Sequence, residues 1–194
     1  VLSPATVKKY FVVLQSLFHF ACKMGFLEYN PSISANITLP KIPPANIAIL
    51  DEKGIKNLLE CLEDEPLMWK VLIHLALCTG CRRGELAALQ WSDIDWEKQQ
   101  IKICKSMYYI DGIRGIKLPK SNSSNRTITI PDYMMQLLKY YKNRQSEQKL
   151  ISTQNWNVND MLFTTKKGEF IATGYISTWF KDFLKKHNIP HIKF

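Results

Sequence analysis

The sequence predicts a mainly α-helical protein carrying a small antiparallel β-sheet, an α+β chain. Three observations predict it. Apolar residues recur at helical spacing from Val7 to Ala21, from Ile55 to Leu62 and from Met135 to Tyr141. Between Trp91 and Ile130 that period gives way to short runs such as Ile101–Ile103 and Arg126–Ile130, with the alternation of half-buried strands. No internal repeat or low-complexity run appears.

The elements follow in order. Ser3-Pro4 is an N-cap followed by a proline at the first helical position. The first helix then carries Val7, Tyr10, Phe11, Leu14, Leu17, Phe18 and Ala21 at helical spacing and stops at Gly25. Asn30-Pro31 closes this piece, residues 1–31. Residues 32–49 read as a linker, since Pro40, Pro43 and Pro44 fall there without any helical period. The remainder, 50–194, reads as a second domain. Its first helix is capped by Asp51 and runs through Ile55, Leu58, Leu59 and Leu62. Pro66 starts a more apolar helix to about Cys78, Thr79-Gly80 turns, and Arg82–Gln90 forms another short helix. Ile101 to Tyr109 is expected as one strand, Ile113–Leu118 as a second and Arg126–Ile130 as a third. Asp132 caps a helix to about Arg144, Met161–Thr164 is a short strand turning at Gly168, and Thr173–His187 is the last helix.

Composition narrows the function. Lys plus Arg number 26 against 17 Asp plus Glu, a net charge of +9 and a pI near 9.3, which favours a polyanionic partner. No run approaches the roughly 18 apolar residues that a membrane span needs, and the start carries no basic-then-apolar signal region. Five cysteines at irregular spacing suit free thiols in a reducing cytoplasm. Cys78 and Cys81 form a C-x-x-C one turn after His74, but no second pair accompanies them, so they read as incidental thiols and no metal is expected. No G-x-x-x-x-G-K-[S/T] loop exists to hold a nucleotide. Tyr140-Tyr141-Lys142 reads as a helix face.

The most informative stretch is Thr79 to Asp95, T-G-C-R-R-G-E-L-A-A-L-Q-W-S-D-I-D. Arg82 and Glu85 stand three apart, so a helix places them on one face, where they pair. A guanidinium held by a carboxylate is a preoriented clamp for a phosphate. Leu86 and Leu89 anchor the same segment. The whole string resembles the first signature box of the tyrosine recombinases, the phage integrase family, T-G-x-R-x-x-E-L-x-x-L-x-W-x-D. That resemblance implies that Arg82 contacts a nonbridging oxygen of the scissile phosphate and that Glu85 supports the site. Arg83 falls at a variable position and is read as surface charge, available to DNA.

A second stretch, L-P-K-S-N-S-S-N-R-T-I-T-I from Leu118 to Ile130, resembles the family's P-K-[T/S]-x-x-S-x-R-x-I segment. The resemblance implies that Lys120 reaches from a hairpin to protonate the leaving 5′-oxygen. Ser124 and Arg126 match the next two positions and are counted as DNA contacts. Ser121 stands where threonine is commoner. Residues 1–31 resemble the end of the family's core-binding domain, with Lys8, Lys9 and Lys23 as phosphate contacts.

The family also needs an H-x-x-R-H box and a nucleophilic tyrosine. Pro190–Phe194 resembles the lead-in to that box, and none of the eight tyrosines matches the nucleophile's context. The chain opens at Val1, so it is expected to be a piece of a longer integrase from a prophage or conjugative element, binding DNA without cutting it. The implied reaction is site-specific recombination through a 3′-phosphotyrosine, without cofactor or metal. The implied partners are double-stranded DNA, other protomers in a synapse and an excisionase, all in the cytoplasm. Two competing readings are a DNA-binding module without catalysis, such as a decayed integrase or regulator, and a type IB topoisomerase.

Overall fold

The computed structural model describes residues 2–33, 37–44, 48–110, 113–117, 125–152, 156 and 159–194, and of Arg114 only the backbone. The chain divides into two compact units, Val1–Ile47 and Ala48–Phe194.

The first unit is built on α1 (Pro4–Lys23). Ser3 Oγ accepts the Thr6 N–H at 3.2 Å, as its capping position requires. The helix ends where Gly25 adopts φ +77°, a left-handed conformation open to glycine without strain. The helix expected from the apolar spacing is present, but its apolar residues do not close a core. No α1 residue is buried, and Tyr10, Leu14 and Leu17 are exposed. One helix and the 3-10 turn Pro31–Ile33 are too little chain to enclose an interior.

The second unit is mainly helical around a small sheet, as the sequence predicts. In it follow α2 (Glu52–Cys61), α3 (Leu67–Thr79), α4 (Arg83–Ala87), β1 (Ile94–Asp95), β2 (Gln100–Ile103), β3 (Ser106–Ile110), β4 (Ile113–Lys117), β5 (Arg126–Thr129), α5 (Asp132–Ile151) and α6 (Thr173–Lys186). Asp51 caps α2 through the Gly54 N–H at 2.8 Å. Helix α3 buries Trp69, Val71, Leu72, Ile73 and Leu75, against which Leu86, Ile101, Met134, Leu138, Phe163 and Ile176 complete the core. Its end is set by Gly80, left-handed at φ +58°, whose N–H returns to the Ala76 carbonyl.

The strand expectation needs correcting. Ile101 to Tyr109 is two strands in two sheets. Strands β1, β2 and β5 form an antiparallel sheet in that order, with Ile101 opposite Ile94 and Ile128, and Ile103 opposite Arg126. Strands β3 and β4 form a separate hairpin, with Tyr108 opposite Gly115. The break falls at Lys105, whose ammonium leaves the strand line to bond Asp93 at 2.7 Å. Helix α5 runs past Arg144 to Ile151, because Gln145 continues its buried face: its amide oxygen accepts the Trp91 indole N–H at 2.9 Å and its nitrogen donates to the Leu162 carbonyl. The short Arg82–Gln90 helix shrinks to Arg83–Ala87. Past it, the Leu89 carbonyl takes the Leu162 N–H and Gln90 bridges Met161, so partners outside the helix end it. Among the described residues no helix is long and apolar enough to cross a membrane.

Candidate active site

The site grows from the turn after α3. Gly80 reverses the chain, Arg82 becomes the residue that opens α4, and Glu85 sits in its first turn. Glu85 Oε2 accepts the backbone N–H of Arg82 at 2.9 Å, and Oε1 accepts the Arg82 Nη1 at the same distance. The pairing expected along a helix face therefore exists, but Arg82 stands just outside the helix. From β5 comes a second guanidinium. Arg126 Nη2 lies 2.8 Å from Oε2 and Nη1 3.3 Å from Oε1, and Nη2 also reaches the Cys81 sulfur at 3.6 Å.

These contacts set the electrostatics. Burial would raise the carboxyl's pKa, but hydrogen bonds from Arg126 and from the backbone and side chain of Arg82 outweigh it and hold Glu85 at about 2. The same contact raises Arg126 above its ordinary value, against the opposing effect of burial. Burial pushes the Cys81 thiol up, which makes it a poor nucleophile or ligand. The two arginines differ in access: the Arg82 side chain is 78% exposed and that of Arg126 32%. Among the described residues the Arg82 guanidinium bonds only Glu85, and with the side chain 78% exposed most of it faces outward.

Helix α4 can lie against β3 because position 84 is glycine. A Cβ there would stand 2.6 Å from Ser106 Oγ and 3.4 Å from the Met107 carbonyl oxygen. Residues 48–194 match the phage integrase family.

The chain belongs to the phage integrase family. It is 33% identical over 209 aligned residues to a XerC-like tyrosine recombinase of Caldanaerobacter subterraneus subsp. tengcongensis, covering 99% of this chain and 53% of that protein. It is 28% identical to the ICEBs1 integrase of Bacillus subtilis, over 75% of this chain and 39% of the relative. The chain thus spans about half or less of the length of these curated relatives. Among solved structures, the Tn1549 transposon integrase in complex with transposon right end DNA superposes with a TM-score of 0.81 at 20% identity, covering 98% of this chain and 60% of that one. A lambda integrase dimer bound to a COC′ core site gives 0.64 at 16% identity, with 98% and 61% coverage. At such identities these structures establish the fold.

In this integrase-family chain the other expected site residues fall in several places. Lys120 and Ser124 lie outside the described residues. Lys8, Lys9 and Lys23 are exposed on α1, in the first unit. Arg83 donates to Ser177 Oγ on α6, which ties α4 to that helix. Arg126, expected as a DNA contact, is found on Glu85. All five cysteines are free; Cys78 shares a 2.8 Å hydrogen bond with the Tyr133 hydroxyl and is not drawn toward His74. A second polar cluster escaped sequence reasoning. Lys105 bonds Asp93 at 2.7 Å and also Gln90, while Asp93 accepts the Gln90 N–H at 2.9 Å. The aspartate of the box was in view, but nothing in the spacing pointed to Lys105 as its partner. A groove of about 1030 Å³ between α3, α5 and α6, lined by Trp69, Tyr140, Tyr175 and Trp179, shares no residue with the arginine cluster.

Proposed function

We propose that this chain is the phosphate-gripping part of a site-specific DNA recombinase that cleaves and rejoins strands through a 3′-phosphotyrosine, with the tyrosine supplied outside these 194 residues. The observation that carries the reading is the exposed Arg82 guanidinium anchored on a carboxylate ionised well below neutral pH. Such a group meets an anion without first reorganising, and it gains strength as phosphorus becomes pentacoordinate and its oxygens gather charge. In this reading Arg82 is the catalytic residue on a nonbridging oxygen and Glu85 supports it. Lys120, by its place in the P-K-S segment, protonates the leaving 5′-oxygen. Rejoining uses the energy kept in the phosphotyrosine bond, so no nucleotide is consumed. Residues 1–31 are the end of a helical DNA-clamping domain, 32–49 a linker and 50–194 the catalytic domain. Lys8, Lys9, Lys23, Arg83 and Ser124 contact backbone phosphates, and the partners are attachment-site DNA and further protomers, with an excisionase for excision, in the cytoplasm.

Two measurements test it. The chain should bind duplex DNA with an affinity that falls steeply with salt, log K dropping by about 0.9 per phosphate neutralised for each unit of log salt; a flat salt response would count against the clamp. In the full-length protein, Arg82→Ala should cut the rate of strand cleavage by about 100-fold or more, far beyond the roughly five- to tenfold loss of duplex affinity that one missing phosphate contact explains. Undiminished cleavage would take Arg82 out of the reaction.

A further inference from the structure

We infer that Arg126 is a positioning residue: it completes the hold on Glu85 and thereby fixes the outward-facing guanidinium of Arg82, and it does not itself contact DNA. This rests on the reading of Arg82 as the phosphate contact.

The geometry argues for it in three steps. A carboxylate offers about four acceptor directions, and in Glu85 all four are taken. Each oxygen receives one bond from Arg82 and one from Arg126: Oε1 from the two Nη1 groups at 2.9 and 3.3 Å, Oε2 from the Arg82 backbone at 2.9 Å and from Arg126 Nη2 at 2.8 Å. The carboxylate is therefore immobilised from both sides. Next, Arg126 has little left to offer a phosphate. Its two terminal nitrogens point at Glu85, one of them also at Cys81, and its backbone is held in β5 opposite Ile103. Finally, the cluster is cationic overall: two guanidinium charges share one carboxylate, so the fork from β5 neutralises Glu85 without using Arg82 to do it. If Arg126 is lost, Arg82 becomes the only cation on a buried carboxylate and is drawn inward, away from a ligand.

A double-mutant cycle on this chain separates positioning from contact. Wild type, Arg82→Ala, Arg126→Gln and the double variant are titrated with a random-sequence DNA duplex over a range of salt, with thermal melting to confirm folding. Arg126→Gln should weaken binding by about fivefold in the wild-type background and by less than twofold in the Arg82→Ala background. In that second background the salt slope should not change. Should the glutamine variant fail to fold, Arg126→Lys runs the same cycle, since lysine keeps the charge beside Glu85 but loses the two-pronged grip. Additive losses, or a salt slope that falls by about a further 0.9 when Arg126→Gln is added to the Arg82→Ala background, make Arg126 a phosphate contact and overturn the inference. An Arg82→Ala chain that binds like wild type fails differently. It removes the parent reading of Arg82, and Arg126 is then an ion pair of the fold and nothing more.

Discussion

Two carboxylates of one sequence box, Glu85 and Asp93, begin from the same arrangement and end in different roles. Each is nearly buried, and each caps a backbone N–H three residues before it, Arg82 for one and Gln90 for the other. Each then takes a cation that arrives from the sheet region, Arg126 at the start of β5 or Lys105 between β2 and β3. The difference is one extra guanidinium. Asp93 and Lys105 neutralise each other one to one, with side chains 7% and 20% exposed, so the pair is closed and serves the fold. Glu85 is already satisfied by Arg126 when Arg82 arrives, and the surplus positive charge stays outside at 78% exposure. In this chain the carboxylate that leaves an arginine facing outward is the one that a second guanidinium also neutralises.

The largest effect expected from breaking this comparison is on the closed side. Asp93→Ala should cost about 4 kcal/mol of folding stability, because it strands the Lys105 ammonium among partly buried neighbours and uncaps the Gln90 N–H. Urea denaturation at neutral pH measures it. A loss under 1 kcal/mol would mean that Lys105 simply swings to water and that the pair is not closed.

Next comes the acid response of Glu85. Its carboxyl titrates at about 2 in the folded chain against an ordinary 4.5. A depressed value stabilises the fold at every pH above the unfolded titration point, and that stability disappears as pH falls from about 4.5 through 2. Glu85→Gln should therefore be less stable by about 2 kcal/mol at neutral pH, and the gap should close on acidification. Glu65, lowered chiefly by its hydrogen bond from Lys186, contributes to the acid unfolding of both proteins and drops out of the difference. A gap that persists unchanged at pH 2 would assign the loss to packing.

Much of this was legible in the sequence because it is local. The stop at Gly80, the Arg82–Glu85 pairing and the Asp51 cap each depend on residues within four positions of one another. The partners that give Glu85 and Asp93 their different fates are not local. Arg126 lies opposite Ile103 through strand pairing, and Lys105 sits at a switch between two sheets that alternation alone reads as one continuous strand. The family resemblance could name Arg126 as notable; it could not say whether its guanidinium faced DNA or Glu85. The α1 helix shows where periodicity stops: the spacing marks a helix, which is present, but burial depends on what else the chain brings to cover it.

The smallest expected effect is the one that sharpens the comparison most. Arg82→Ala should change folding stability by no more than about 0.5 kcal/mol, although it removes a guanidinium whose bond to Glu85 is 2.9 Å long. An ion pair with one partner in water contributes little, since the attraction is screened and a long side chain loses freedom in making it. Glu85 keeps the Arg126 fork and the Arg82 backbone N–H, which the substitution leaves in place. A guanidinium that the fold does not need, yet which the fold orients, is available for a ligand. A loss of 2 kcal/mol or more in urea denaturation would put Arg82 among the structural cations beside Lys105, and the distinction between an open and a closed carboxylate cluster would collapse.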